Sequence, residues 1–221
     1  MFADSKYSKV LTVLLIIAIV AIVGLLGFFG YSMYREYFTE EDAEKFVANY
    51  NNEEGENTPK QDLSNVTNPL NEINSVDMNA IAGSEEKEYT FKGYPVCGTI
   101  EIPKTEISYP IISELSNGAI KVAVARQLGP GPNQPGNTVI AGHNYKNNLF
   151  FSNNKKLEIG DEIYITDNSK NKVKYTIYNK YETTAEDTDY MQRDTQGAME
   201  ISLTTCTDDS KGRLVIWAKA E

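Results

Sequence analysis

Twenty-two consecutive residues, Val10 to Tyr31, carry no charge and almost no polar group; only Thr12, Gly24, Gly27 and Gly30 interrupt the apolar run. As a helix rising about 1.5 Å per residue, this stretch reaches about 33 Å, enough to cross the hydrocarbon core of a bilayer. A cleaved leader would instead have an apolar region of about 7–15 residues ending in a small-x-small site. The run is longer than that and no convincing site follows it, so it is read as an uncleaved transmembrane anchor. Lys6 and Lys9 precede the span, whereas Glu36, Glu40, Glu41, Asp42 and Glu44 follow it with only Arg35 and Lys45 among them. The positive-inside bias then puts residues 1–9 in the cytoplasm and everything after residue 32 outside the cell membrane. Phe28, Phe29, Tyr31, Tyr34, Tyr37 and Phe38 suit an aromatic belt at the outer interface.

The net charge of −10 is unevenly placed: residues 33–88 hold 14 acidic and 4 basic side chains, while residues 89–221 hold 16 and 15. The excess therefore lies between the span and the rest of the chain. Segment 32–88 is also rich in Asn and poor in apolar clusters, which leaves it too little surface to bury, and it reads as an acidic extracellular stalk. A short helix is expected over Glu40 to Asn51, where Phe46, Val47 and Tyr50 recur at helical spacing. The near-neutral remainder has no basic stripe, which argues against nucleic acid as a partner.

Residues 89–221 are the size of one domain, and their pattern is all-β. Strands are predicted at Cys97–Ile102, Ile107–Ile112, Thr138–Ala141, Glu162–Thr166 and Val173–Tyr181, with two more on either side of a polar turn at Thr207–Gly212. Asn117 to Gln127 has Ile120, Val124 and Leu128 four apart and is predicted helical. The Gly- and Pro-rich run Gly129 to Gly136 must be a loop. Seven or eight short strands in one domain suggest a closed barrel or sandwich, and a barrel leaves no exposed edge.

Three residues at strand ends carry the chemistry. His143 is the only histidine and follows the strand ending Ile140-Ala141-Gly142, so it is the one imidazole for acid/base work near neutral pH. Cys206 closes the run Ile201-Ser202-Leu203-Thr204-Thr205, and Arg213 opens the last strand. A free thiol is mostly protonated at pH 7, so a nucleophilic Cys206 needs a cation, and Arg213, the imidazolium or Lys211 would serve. The residues alone equally fit an acyl transferase, a secreted thiol hydrolase or a barrel that only binds. Cys97, beside Gly98 in the first strand, reads as a buried or partly buried free thiol. Asn144 orients the histidine ring or serves turn chemistry. Glu182, Glu186, Asp187 and Asp189 lack the spacing of a calcium loop, and one histidine with two distant cysteines cannot make a zinc site. No metal and no cofactor is expected.

The motifs Gly98-Thr99-Ile100-Glu101-Ile102-Pro103, Pro135-Gly136-Asn137-Thr138-Val139-Ile140-Ala141-Gly142-His143, Leu157-x-x-Gly160-Asp161-x-Ile163 and Leu203-Thr204-Thr205-Cys206 with Arg213 occur in order over residues 96–219. Together they resemble the sortases, membrane-anchored cysteine transpeptidases of Gram-positive bacteria. The resemblance implies a closed eight-stranded β-barrel over residues 89–221 with one or two short helices. It implies Cys206 as nucleophile, His143 as acid/base and Arg213 as substrate and oxyanion partner. It also implies cleavage of an LPxTG-like sorting signal after Thr and transfer of the surface protein to an amine of a cell-wall precursor. Residues 33–95 contain no Asp-Pro-aromatic lid tripeptide, so the chain resembles the compact class A, D or E members, class D preferred. A pilin-polymerising sortase, using a pilin lysine, is the alternative. Thr205 is an expected substrate contact. So are Tyr190 and Met191, apolar groups in the polar connection Glu182–Ala198 suited to the leucine and proline of such a peptide.

Overall fold

The computed structural model describes residues 6–52 and 88–221, in two compact units, Met1–Asp42 and Ala43–Glu221. Helix α1 runs over Lys6–Asn52. Within it Val10–Tyr31, with mean hydropathy 3.1, is exposed throughout and long and apolar enough to cross a membrane.

The second unit contains nine strands: β1 Tyr89–Phe91, β2 Tyr94–Ile102, β3 Ile107–Ile112, β4 Val124–Leu128, β5 Gly136–Ala141, β6 Glu162–Asp167, β7 Lys172–Thr184, β8 Met199–Cys206 and β9 Gly212–Ala220. They pair in the order β1-β2-β3-β4-β5-β8-β9-β7-β6, and a further β2–β6 pairing closes the eight strands β2 to β9 into a barrel. β1 adds a short hairpin arm to β2. The β-branched residues the pattern singled out fill the barrel: Ile100, Ile102, Ile111, Ile140, Ile163, Ile165 and Ile216 are at most 1% exposed. Each such side chain contributes about 1.5–3 kcal/mol of burial free energy.

Two parts of the sequence reading change. Only Ala119–Lys121 of the predicted helix over 117–127 is helical, as one 3-10 turn, and Val124–Leu128 is strand β4. Val124 and Ala125 pair with Ile111 and Ile112 on one side, and Ala125 and Arg126 with Ala141 and Ile140 on the other. A slot between two strands of a closing barrel thus overrides a helical spacing whose first members are Ile and Val. The second change concerns Ala43–Asn52, which the charge count alone assigns to the stalk. Ala43, Val47 and Tyr50 are buried, Phe46 lies edge-on to Phe91 at 5.3 Å, and the Tyr50 hydroxyl donates to Asn168 Oδ1 at 2.6 Å. Asn51 Nδ2 donates to Glu101 at 2.6 Å, and Lys170 Nζ sits 3.2 Å above the Tyr50 ring. The apolar stripe at helical spacing is therefore a docking face for β1, β2 and the β6–β7 hairpin. The rest of the predicted stalk, residues 53–87, lies outside the described residues.

The topology also sets where the site forms. β5 and β8 are parallel neighbours with Ala141 opposite Thr204, so both chains leave the barrel at the same end. β8 and β9 are antiparallel, with Cys206 opposite Arg213.

Candidate active site

His143, which follows β5, lies at the same barrel end as Cys206 and Arg213, which close β8 and open β9. Arg213 Nη1 donates to Cys206 Sγ at 3.4 Å and to the Gly212 carbonyl at 3.3 Å. The turn between them is built by its own side chains. Thr207 Oγ1 donates to Asp209 at 2.6 Å and accepts from the Gly212 amide at 3.0 Å, while the Lys211 amide donates to Asp209 at 3.0 Å. A β-carbon on Gly212 would lie 2.5 Å from the Thr183 carbonyl oxygen, so only glycine lets β9 start against β7 there. Gly142 is required for the same kind of reason: a β-carbon would meet the Phe151 ring at 2.7 Å. This is the physical content of the glycine that breaks the strand before the histidine.

The His143 ring is held by aromatic neighbours. Tyr145 stacks on it at 4.6 Å with 26° between planes, and Phe150 meets it edge-on at 6.4 Å. Phe150 stacks in turn on Tyr109 at 5.1 Å, and the Phe151 amide donates to the His143 carbonyl at 3.1 Å. Burial lowers the imidazole below its ordinary value, and the positive charge of Lys121 adds to this. Because the histidine is single, its C2–H resonance is unambiguous in a proton NMR titration. Its midpoint is expected below the ordinary value of about 6.5; a midpoint at or above that value would mean the ring is hydrated and not enclosed as described.

Asn144 does not orient the ring. Its Nδ2 donates to the Cys206 carbonyl at 2.9 Å and to Asp208 at 3.0 Å, and its Oδ1 accepts from the Lys146 amide at 3.0 Å. Lys155 completes the bridge with an ion pair to Asp208 at 2.7 Å. The loop after β5 is thereby tied to the turn after β8. Beside Cys206 lies a depression lined by Thr205, Phe151, Ser152, Glu182 and Leu214. Thr205 is 4% exposed, and its buried hydroxyl has no hydrogen-bond partner.

Tyr190 and Met191 are not gathered with these residues. They form a 3-10 turn, Asp189–Met191, in the connection between β7 and β8. Tyr190 is 2% exposed and packs with Val139 and Val215. These alternate in sequence with barrel-core Ile140 and Ile216 and so lie on the outer face of the wall. Met191, partly exposed, accepts a weak hydrogen bond on sulfur from Gln127 at 3.7 Å. The sequence reading missed Tyr145 and Arg193. The alternation Tyr178, Ser202 and Trp217 on outward positions was the available signal for a polar cluster outside the barrel.

Cys97 belongs elsewhere, on β2, where its thiol donates to the Ile111 carbonyl at 3.5 Å. Burial pushes it up to about 11, partly offset by the charge of Arg126. At pH 8 only about one such thiol in a thousand is a thiolate, the form that reacts. Iodoacetamide at pH 8 is therefore expected to label Cys206 and leave Cys97 intact, as read by peptide mass mapping; preferential labelling of Cys97 would contradict this. Both cysteines are free. Among the described residues no group of three or more His, Cys, Asp or Glu could hold a metal ion.

A sortase-domain family model matches residues 100–221. A sortase A of Streptococcus agalactiae is 27% identical over 172 residues, which cover 73% of this chain and 66%, just under two thirds, of that protein. Among solved structures, one described as a Clostridium perfringens sortase D5 transpeptidase has 29% identity and a TM-score of 0.53, covering 57% of this chain and 79% of that one. Sortase A from Corynebacterium diphtheriae has 25% identity and a TM-score of 0.53, covering 58% and 61%.

Proposed function

The chain belongs to the sortase family, and from that premise we propose that it is a membrane-anchored cysteine transpeptidase, its catalytic barrel outside the cell, that transfers sorting-signal-bearing surface proteins to an amine of a cell-wall precursor. The observation that carries the proposal is the convergence of Cys206, Arg213 and His143 at one barrel end, with the guanidinium 3.4 Å from the sulfur. The two lysines before the apolar helix and the acidic residues after it support the orientation. Class D is our preference among the compact classes, with the clostridial sortase D5 and the corynebacterial sortase A matching at the same TM-score of 0.53.

In this reading the Cys206 thiolate attacks the carbonyl carbon of the Thr in an LPxTG-like signal. The tetrahedral oxyanion is met by the Arg213 guanidinium, a fixed charge already in place before reaction. The C–N bond breaks as His143 gives its proton to the leaving amine, and a thioester to Cys206 remains. The incoming amine attacks that thioester and yields a proton to His143; the C–S bond breaks, releasing the thiolate and the new amide. The unpaired Thr205 hydroxyl, beside the nucleophile in the depression, is a hydrogen-bond donor for the peptide backbone. Tyr190 and Met191 serve as part of the wall formed by the β7–β8 connection.

Full-length protein in detergent micelles, given a sorting-signal peptide and a small amine such as triglycine, is expected to yield the Thr–amine ligation product by mass spectrometry. Cleavage that gives only the free Thr carboxylate, unchanged by added amine, would make the protein a thiol hydrolase.

A further inference from the structure

Arg193 is the one guanidinium in the β7–β8 connection, and it is almost buried: its side chain is 12% exposed and that of its partner Glu200 13%. Four strands hold it. Nη1 donates to Glu200 on β8 at 2.7 Å and to the Tyr178 hydroxyl on β7 at 2.7 Å. Nη2 donates to Asn137 Oδ1 on β5 at 3.0 Å and to Ser202 Oγ on β8 at 3.3 Å. The guanidinium plane lies 4.1 Å from the Trp217 ring on β9. Tyr178 also donates to Glu200 at 2.7 Å, and burial followed by this bond pushes its phenol up to about 12, so the donor stays protonated.

The same Asn137 that accepts from Arg193 donates through Nδ2 to the Tyr190 carbonyl at 3.0 Å and the Met191 carbonyl at 3.2 Å. The Tyr190 ring covers Val139 and Val215, and its hydroxyl is 3.4 Å from Thr204 Oγ1, two residues before Cys206 on β8. A line of direct contacts therefore runs from Arg193 through Asn137 and Tyr190 to the strand bearing the thiol. A hydrophobic side chain at 193 would fill the space as well, and buried ion pairs often add little net stability. A fork with fixed donor directions supplies something else, a unique placement of the segment that carries it.

We propose that Arg193 is a positioning residue for substrate selection: it locks the Asp189–Met191 turn against β5 and β8 and so fixes the wall that receives the part of the sorting peptide preceding the scissile bond. The inference rests on the transpeptidase reading, and its test separates the two. Full-length Arg193→Met, Arg193→Lys and Glu200→Gln are compared with wild type in micelles. Hydrogen exchange of the amides of residues 188–193 reads the clamp without any turnover. The KM, kcat and Leu-against-Ala discrimination of the peptide read selection.

In Arg193→Met, exchange over 188–193 is expected to accelerate about tenfold or more, with β2–β3 amides unchanged. KM should rise about tenfold and discrimination fall by a similar factor, with kcat within about threefold, the pattern of lost binding and not of lost chemistry. Arg193→Lys, which keeps the charge and loses the fork, should fall between. Alkylation of Cys206 by iodoacetamide should stay within about twofold of wild type. If Arg193→Met fails to fold, Arg193→Lys and Glu200→Gln carry the same readouts. Unchanged exchange, or kcat and alkylation falling together with KM unchanged, would overturn the proposal. Exchange that accelerates in a protein whose wild type processes no sorting peptide would sustain the clamp as a loop anchor and refute its role in selection together with the transpeptidase reading.

Discussion

Cys206→Ala is expected to abolish transfer of a sorting peptide to an amine, a loss on the order of 10⁴-fold or more, because no other group can form the thioester. The fold should survive. Cys206 is only partly buried at the last position of β8, and among the described residues the side-chain hydrogen bond it gives up is the 3.4 Å one from Arg213. Truncation of such a strand-end side chain costs about 1 kcal/mol, so circular dichroism and the melting temperature should stay close to wild type. Cys97→Ser serves as the control: Cys97 sits on β2, which pairs with β1, β3 and β6 and with none of the strands bearing the site. Near-full transfer by Cys206→Ala, or its loss in Cys97→Ser, would move the nucleophile to the first strand of the barrel.

Arg213→Ala and His143→Ala should each lower kcat/KM on the order of 10²-fold or more, for different reasons. Arg213 stands opposite Cys206 in the β8–β9 register, so its removal strips the sulfur and the nascent oxyanion of their fixed charge. Arg213→Lys should recover only part of the rate, since a point charge on a flexible stem cannot reproduce the fork. In the proposed mechanism His143→Ala removes the acid that protonates the leaving amine. A substrate with a better leaving group, such as a Thr thioester or activated ester in place of the amide, should therefore rescue the acylation step of His143→Ala and not that of Arg213→Ala. Equal rescue of both would mean that the two residues do not divide the work as described.

The candidate site was legible in the sequence to the extent that chemistry is concentrated in rare residues. One histidine, one cysteine at a strand end and an arginine seven residues later leave few combinations, and the glycine before His143 marks a close approach that proves to be the Phe151 ring. The strands with strong alternation were equally visible. What the sequence could not display were contacts made by residues whose local signal is ambiguous. Val124–Leu128 carries a helical spacing and becomes a strand because two neighbours claim its backbone. Ala43–Asn52 is rich in Asn like the segment that follows, yet its apolar stripe docks on β1 and β2, a tertiary fact invisible in composition. Tyr190 was legible as an apolar group in a polar loop, but not as the lid of a small cluster with Val139 and Val215. Arg193 looked like any loop arginine, since its five partners are spread over four strands distant in the chain.

In the proposed mechanism the sulfur of Cys206 takes the acyl group. Its most direct test is intact-mass and peptide mass spectrometry of full-length protein incubated with a sorting peptide in the absence of amine and quenched in acid. An adduct of the mass of the peptide's acyl portion, through Thr, is expected on the fragment containing Cys206, discharged by hydroxylamine and by added amine. An adduct on Cys97, or amine-dependent product formation that proceeds in Cys206→Ala, would contradict it.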